Sequence, residues 1–246
     1  MTILTNKTEF EKQLILHTIP LRKINDCGDV INIGSGLLLW VNNKKFILSA
    51  GHVILQSDDG TWAIECEYEP IKGTKLFSIG KKPSMLVRGN IGNGSLAIVD
   101  FSFQEIPCDV ESYFQDIKET RQILDSIKRS EFMNIDYYIE PNAEDTYGFS
   151  GNILSEYAPN DYLECQIPTY TNLKYSQSID GFDYYRLPFA HPGHHFFEGC
   201  SGAPLMNQDL KVVGLISGWN PSYSDSIRVT PLRNYVIGVL IEAGAI

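Results

Sequence analysis

The stretch Gly199-Cys200-Ser201-Gly202-Ala203-Pro204-Leu205 sets a thiol and a hydroxyl side by side between glycines. Either group can attack a carbonyl if a base takes its proton and backbone N–H groups receive the charge that develops on the carbonyl oxygen. A base is available in Ser49-Ala50-Gly51-His52-Val53, which directly follows the apolar run Lys45-Phe46-Ile47-Leu48. A histidine set at a strand end by a small-residue turn can point sideways into a cleft. Acyl transfer is the chemistry this pairing suits, and it needs a further group to hold the histidine in the right tautomer.

These residues must be carried by a scaffold that the rest of the chain builds. Thr8-Glu9-Phe10-Glu11 has the T-x-x-E pattern of a capping box and predicts a short helix to about Leu16. Strand-like pieces then alternate with turn signals: 36–41, 45–49, 63–68 and 95–103, separated by Asn42-Asn43, Asp58-Asp59-Gly60 and the segment 89–94. Between Asp109 and Arg129, apolar Val110, Tyr113, Phe114, Ile117, Leu124 and Ile127 fit a 3.6-residue period and predict an amphipathic helix. Strand-like pieces resume at 135–140, 144–148, 162–167, 184–187, 211–217 and 227–230, and 231–243 reads as a terminal helix opened by Pro231. The layout is all-β with helical punctuation. The chain, 1–246, reads as a single unit, divided into a first β-barrel over 19–108, a connecting helix over 109–131, a second β-barrel over 132–230 and a C-terminal helix over 231–246.

The formal net charge of −10 argues against nucleic acid or an anionic membrane as the main partner, since both call for clustered Lys and Arg. No apolar run approaches the roughly 18 residues a membrane span needs. The N-terminus lacks a basic region followed by an apolar one, so the expected location is the cytoplasm. Cys27, Cys66, Cys108, Cys165 and Cys200 form no metal-like spacing and read as reduced thiols. No Cys, Asp or Glu near His191, His194 and His195 completes a recognisable zinc spacing, so neither metal nor cofactor is expected.

The order Gly34-Ser35-Gly36, strand, SAGH, GxSGxPL and Val213-Gly214-Leu215-Ile216-Ser217-Gly218 resembles that of chymotrypsin-like (trypsin-like) serine proteases, most of all their bacterial branches. The likeness spans about Ile24 to Leu232 and implies two six-stranded antiparallel β-barrels with the active site between them. By that resemblance Ser201 is the nucleophile, His52 the general base, and the N–H groups of Gly199 and Ser201 the oxyanion hole. Cys200 occupies the slot where many secreted relatives carry an aspartate that pairs with a freed N-terminus, so no zymogen step of that kind is implied. Picornaviral relatives use a cysteine nucleophile, but theirs stands two residues after the first glycine, where this chain has Ser201.

The position of the family's aspartate falls, by the same likeness, at the head of Ser95-Leu96-Ala97-Ile98-Val99-Asp100 and so on Ser95. Measured from Ser95, Asp100 has the wrong strand parity and is expected near a loop or in solvent. Ser95 is therefore the expected third member of the site, with Asp58 or Asp59 as alternative sources of the acid. Counting back from Ser201 puts the base of a substrate pocket near His194 and His195. Ser217, Gly218 and Trp219 would form one wall and pair with substrate backbone. The implied activity is a serine endopeptidase acting on polypeptide substrates. Two other readings stand beside it: a protease-fold binding module that has lost catalysis, and a protease completed by an activating partner protein.

Overall fold

The computed structural model describes residues 3–55, 60–79, 84–89, 96–118, 120–133, 139–154, 165–190 and 192–246. After a 3-10 turn (Ile3–Asn6), helix α1 (Glu9–His17) opens on the capping box. The Glu11 N–H donates to Thr8 Oγ1 at 3.2 Å, and the Thr8 N–H donates to Glu11 Oε2 at 2.8 Å. Among the described residues no helix is long and apolar enough to cross a membrane.

The first half is built from β1 (Ile19–Ile24), β2 (Val30–Val41), β3 (Lys44–Ser49), the short helix α2 (Gly51–Leu55), β4 (Thr61–Glu69), β5 (Gly73–Ser78), β6 (Ser84–Gly89) and β7 (Leu96–Ile106). These strands form a seven-stranded antiparallel sheet ordered β5-β4-β1-β2-β3-β7-β6, where a six-stranded barrel was expected. Asn42 and Asn43, with φ of 49° and 63°, close the β2–β3 hairpin with Val41 opposite Lys44. Positive φ at both central residues is the backbone twist that a two-residue hairpin favours.

The predicted connecting helix is corrected. Residues 109–131 hold an antiparallel hairpin, β8 (Tyr113–Ile117) and β9 (Ile123–Lys128), with Arg121 at φ 64° in its turn. Burial alternates strictly along β9, with Ile123, Asp125 and Ile127 inward and Leu124, Ser126 and Lys128 outward. The spacing of the apolar residues satisfies both periods over so short a run, and the β-branched Ile123 and Ile127 suit the strand.

The second half comprises β10 (Tyr147–Ser150), β11 (Ile153–Leu154), β12 (Cys165–Gln166), β13 (Thr169–Ile179), β14 (Phe182–Arg186), β15 (Pro204–Asn207), β16 (Val212–Trp219) and β17 (Ser226–Pro231). Six of them close a barrel in the order β10-β13-β14-β17-β16-β15, and β11 and β12 pair separately. Asp180-Gly181, both at positive φ, make the β13–β14 hairpin. β13 escapes the sequence reading because it is polar, with Leu173 its one fully buried position. The predicted strand at 135–140 lies mostly outside the described residues. The C-terminal helix is broken into α3 (Leu232–Tyr235) and α4 (Ile237–Glu242), and Pro231 is the cap before α3 rather than its first residue.

One apolar cluster is common to both halves. Leu37, Leu39, Phe46, Leu48, Phe101 and Phe103 of the sheet pack with Met206, Leu215, Leu232, Val236 and Val239 of the barrel and C-terminal helices. Each half also keeps its own core. The shared cluster makes a rigid seam, and the residues with chemical potential lie along it.

Arg233 ties α3 to the barrel through a bidentate pair with Asp183 of β14, at 2.6 and 2.9 Å, and Asp183 is 1% exposed. Without the Asp183 charge, Arg233 keeps only the exposed Glu140, 2.9 Å from its Nε. Asp183→Asn is expected to lower the urea-unfolding free energy by about 3 kcal/mol. A loss below about 1 kcal/mol would show that the pair does not hold the helix in place.

Candidate active site

His52 is the second residue of α2, which turns directly off the end of β3. Gly51 permits this turn through a close approach. A Cβ there would meet Phe101 N and Val99 O at 2.9 Å and Asp100 Cα at 3.2 Å. With no side chain at 51, the histidine backbone lies against β7 at Asp100. The Asp100 carboxylate then receives His52 twice, on Oδ1, from the backbone N–H at 2.9 Å and from Nδ1 at 2.8 Å. An ionised carboxylate only accepts, so the imidazole proton sits on Nδ1 and Nε2 carries the lone pair.

Here the sequence reading is corrected. Ser95, Asp58 and Asp59 lie outside the described residues, and the group on His52 Nδ1 is Asp100. The parity argument failed because it counted from Ser95. Along β7 the odd positions Val99, Phe101 and Phe103 enter the shared core, while Ser102 donates from the even face to Ser49 O at 3.2 Å. Asp100 shares the face of Ser102, and that face looks at the His52 turn. The overlooked signal was Asp100-Phe101-Ser102-Phe103, an acid heading an alternating apolar run.

The second half holds the same carboxylate from the other side. Ser217 Oγ of β16 donates to Asp100 Oδ2, and Thr230 Oγ1 of β17 donates to the Asp100 carbonyl at 3.0 Å. Arg228 Nη2 stands 3.9 Å from Oδ2 and donates to Ser217 O at 3.1 Å. Burial by itself pushes the Asp100 carboxyl up. The hydrogen bonds and charge of His52, with the Ser217 hydroxyl, outweigh it and hold the group below the ordinary carboxylate value. Ser217 thus spends its hydroxyl on Asp100.

Ser201 lies in the turn between the 3-10 segment His194–Phe197 and β15. Gly199 and Gly202 flank it at φ +89° and +88°, a region that costs glycine little. The Cys200 N–H donates to Phe197 O, the Gly202 N–H to Ile216 O and the Ala203 N–H to Cys200 O. Among the described residues the N–H groups of Gly199 and Ser201 have no protein acceptor. The turn is docked on the first half, because the Ser35 N–H donates to Ser201 O at 2.9 Å. A Cβ on Gly202 would collide with Ser35 O of β2 and with Ser49 Oγ at the end of β3, three residues before His52. Ser201 is partly exposed, and His52 keeps 38% of its side chain open to solvent.

Cys200 faces the other way. It is fully buried in the barrel core, against Gly151, and burial pushes its thiol up to about 12. A thiol held protonated by its surroundings is a poor nucleophile. Gly218 sits at φ +123° beside a register shift in the β16–β17 pairing, and Trp219, half-buried, ends the strand. His194 and His195 fall within the 3-10 segment leading to Gly199, with their side chains outside what is described, and His191 lies outside it altogether.

No protein-family model and no curated protein sequence matches the chain. Solved structures do. A serine endoprotease from Yersinia pestis aligns with a TM-score of 0.53 at 14% identity, covering 97% of this chain and 68% of that one. The scabies mite inactivated protease paralogue S-D1 aligns with a TM-score of 0.55 at 12% identity, covering 97% and 96%. The chain has the chymotrypsin-like protease fold. At these identities the likeness establishes the fold alone.

A carboxyl lowered in the folded state stabilises the protein above its unfolded value and loses that contribution as pH falls through the folded one. The stability difference between wild type and Asp100→Asn is therefore expected to be complete above about pH 5 and to shrink from about pH 4 downward. Urea unfolding at a series of pH values reads it directly. A difference that stays constant down to pH 2 would mean that Asp100 is not ionised against His52.

Proposed function

We propose that this chain is a serine endopeptidase that cleaves polypeptides through an acyl-enzyme. Ser201 Oγ attacks the peptide carbonyl while His52 Nε2 takes its proton. The same imidazole then gives that proton to the departing amine, and water repeats the sequence to release the acyl group. Asp100 keeps His52 in the required tautomer and stabilises the imidazolium that forms. The N–H groups of Gly199 and Ser201 receive the oxyanion. In the absence of substrate His52 and Ser201 need not be bonded, since such contacts tighten in the substrate complex.

The observation that carries this reading is the His52 Nδ1 to Asp100 Oδ1 hydrogen bond at 2.8 Å, made to a carboxylate whose side chain is only 14% exposed. The alternative of a lapsed binding module, and that of a protease completed by a partner, were motivated by a missing acid. With Asp100 on His52 they lose that motive. The burial of Cys200 favours Ser201 over the thiol as nucleophile.

The test is labelling with a fluorophosphonate probe. Wild type and Cys200→Ala are expected to label within a few-fold of each other, while Ser201→Ala does not label at all. Asp100→Asn is expected to lower kcat by about 10⁴, the size found when this type of triad loses its carboxylate. Folded wild type that shows no Ser201-dependent labelling would refute the proposal.

A further inference from the structure

Three buried serine hydroxyls form a ladder across adjacent strands. Ser102 of β7 donates to Ser49 O at 3.2 Å, Ser49 of β3 donates to Ser35 O at 2.7 Å, and Ser35 of β2 donates to Gly199 O at 2.7 Å. All three are 0% exposed. Each hydroxyl satisfies a carbonyl on the next element, so the ladder runs from the strand bearing Asp100, through the strand leading to His52, to the Ser201 turn. None of the three side chains is needed as nucleophile, base or acid.

The last rung bears on chemistry. Ser35 grips the Ser201 turn at two places, its N–H on Ser201 O and its hydroxyl on Gly199 O. The carbonyl between them, Cys200 O, accepts from the Ala203 N–H at 2.9 Å. Three successive carbonyls are therefore pinned, and pinning a carbonyl fixes the whole plane of its peptide. The N–H of Ser201 shares a peptide with Cys200 O and is turned to the opposite side. The N–H of Gly199 belongs to the preceding peptide, joined through the φ and ψ of Gly199 to the plane that the Ser35 hydroxyl holds.

We propose that Ser35 is a positioning residue for the N–H groups of Gly199 and Ser201, acting through the Gly199 carbonyl. It rests on the reading of these two groups as the oxyanion site and extends that reading to a side chain outside the turn. A donor aimed beforehand at developing charge lowers the barrier because nothing has to reorganise as the charge forms. Without the hydroxyl, the Gly199–Cys200 peptide is held only from within its own turn, by the Cys200 N–H on Phe197 O at 2.9 Å, and glycine at 199 lets the turn shift against the first half.

Ser35→Ala removes the hydroxyl and leaves the backbone N–H in place. It is expected to lower kcat by about ten- to a hundredfold, less than outright loss of an oxyanion donor, with KM changed by less than about threefold. Affinity for a peptidyl boronate, which mimics the tetrahedral state, is expected to fall by the same factor as kcat/KM. Binding of uncut peptide to the Ser201→Ala protein is expected to be indifferent to the further change at 35. Lower thermal stability with kcat and boronate affinity at wild-type levels would overturn the proposal, because that is what a merely structural hydroxyl would give. If wild-type Ser201 proves unreactive, the protease reading falls and amide exchange decides the positioning claim. Faster exchange at Cys200, Gly202 and Ala203 in Ser35→Ala supports it, and unchanged exchange overturns it. Should Ser35→Ala not fold, Ser49→Ala, which frees Ser35 O, is expected to move the same readouts in the same direction.

Discussion

The Asp100 carboxylate is the point on which the two halves of this protein agree. It belongs to a strand of the first half, yet its second oxygen and its own carbonyl are held by Ser217 and Thr230 of the second. A buried carboxylate must have its lone pairs met by donors, or its charge becomes very costly. Here the carboxylate's donors come from α2 and β16, and Thr230 of β17 holds the backbone carbonyl of the same residue, so one residue aligns all three elements. His52 takes its orientation from that alignment. The seam is apolar on one side, where Phe101 and Phe103 enter the shared core, and polar on the other, where the Asp100 carboxylate meets His52.

The Ser201 turn obeys a related constraint. Its two positive-φ glycines let the chain fold tightly enough to present a hydroxyl outward while burying the neighbouring thiol. Ser35, the Ser49 hydroxyl and the Ala50 N–H of the first half receive this turn, so His52 and Ser201 are positioned by the same stretch of sheet. Close approach does the work in both places. Gly51 brings α2 onto β7, and Gly202 brings the turn onto β2 and β3.

Much of this was legible in the residues. SAGH and GCSGAPL, in order and in a β-rich setting, pointed to the fold, and they suggest the pairing of His52 with Ser201 on which the proposed function rests. The choice of Ser201 over Cys200 also followed from spacing, and the burial of the thiol supplies its physical side. Two errors have the same origin, a short apolar pattern that fits more than one period or register. In 109–131 the pattern fits a helix and a hairpin equally, and tertiary packing chooses the hairpin. Around Asp100, alignment by apolar character put the acid's position on Ser95. Only the pairing of β7 with β3, which sets Ser102 opposite Ser49, shows which face each residue takes. Strand parity is decisive once register is known and uninformative before.

The central claim is that Asp100, held across the seam, fixes the Nδ1–H tautomer of His52. Proton NMR of the folded protein tests it most directly, through the imidazole Nδ1–H resonance. A strongly downfield, exchange-protected Nδ1–H signal is expected in wild type, with the same signal lost in Asp100→Ala. A His52 ring protonated at Nε2 alone, or an Nδ1–H signal indifferent to the loss of Asp100, would contradict the account.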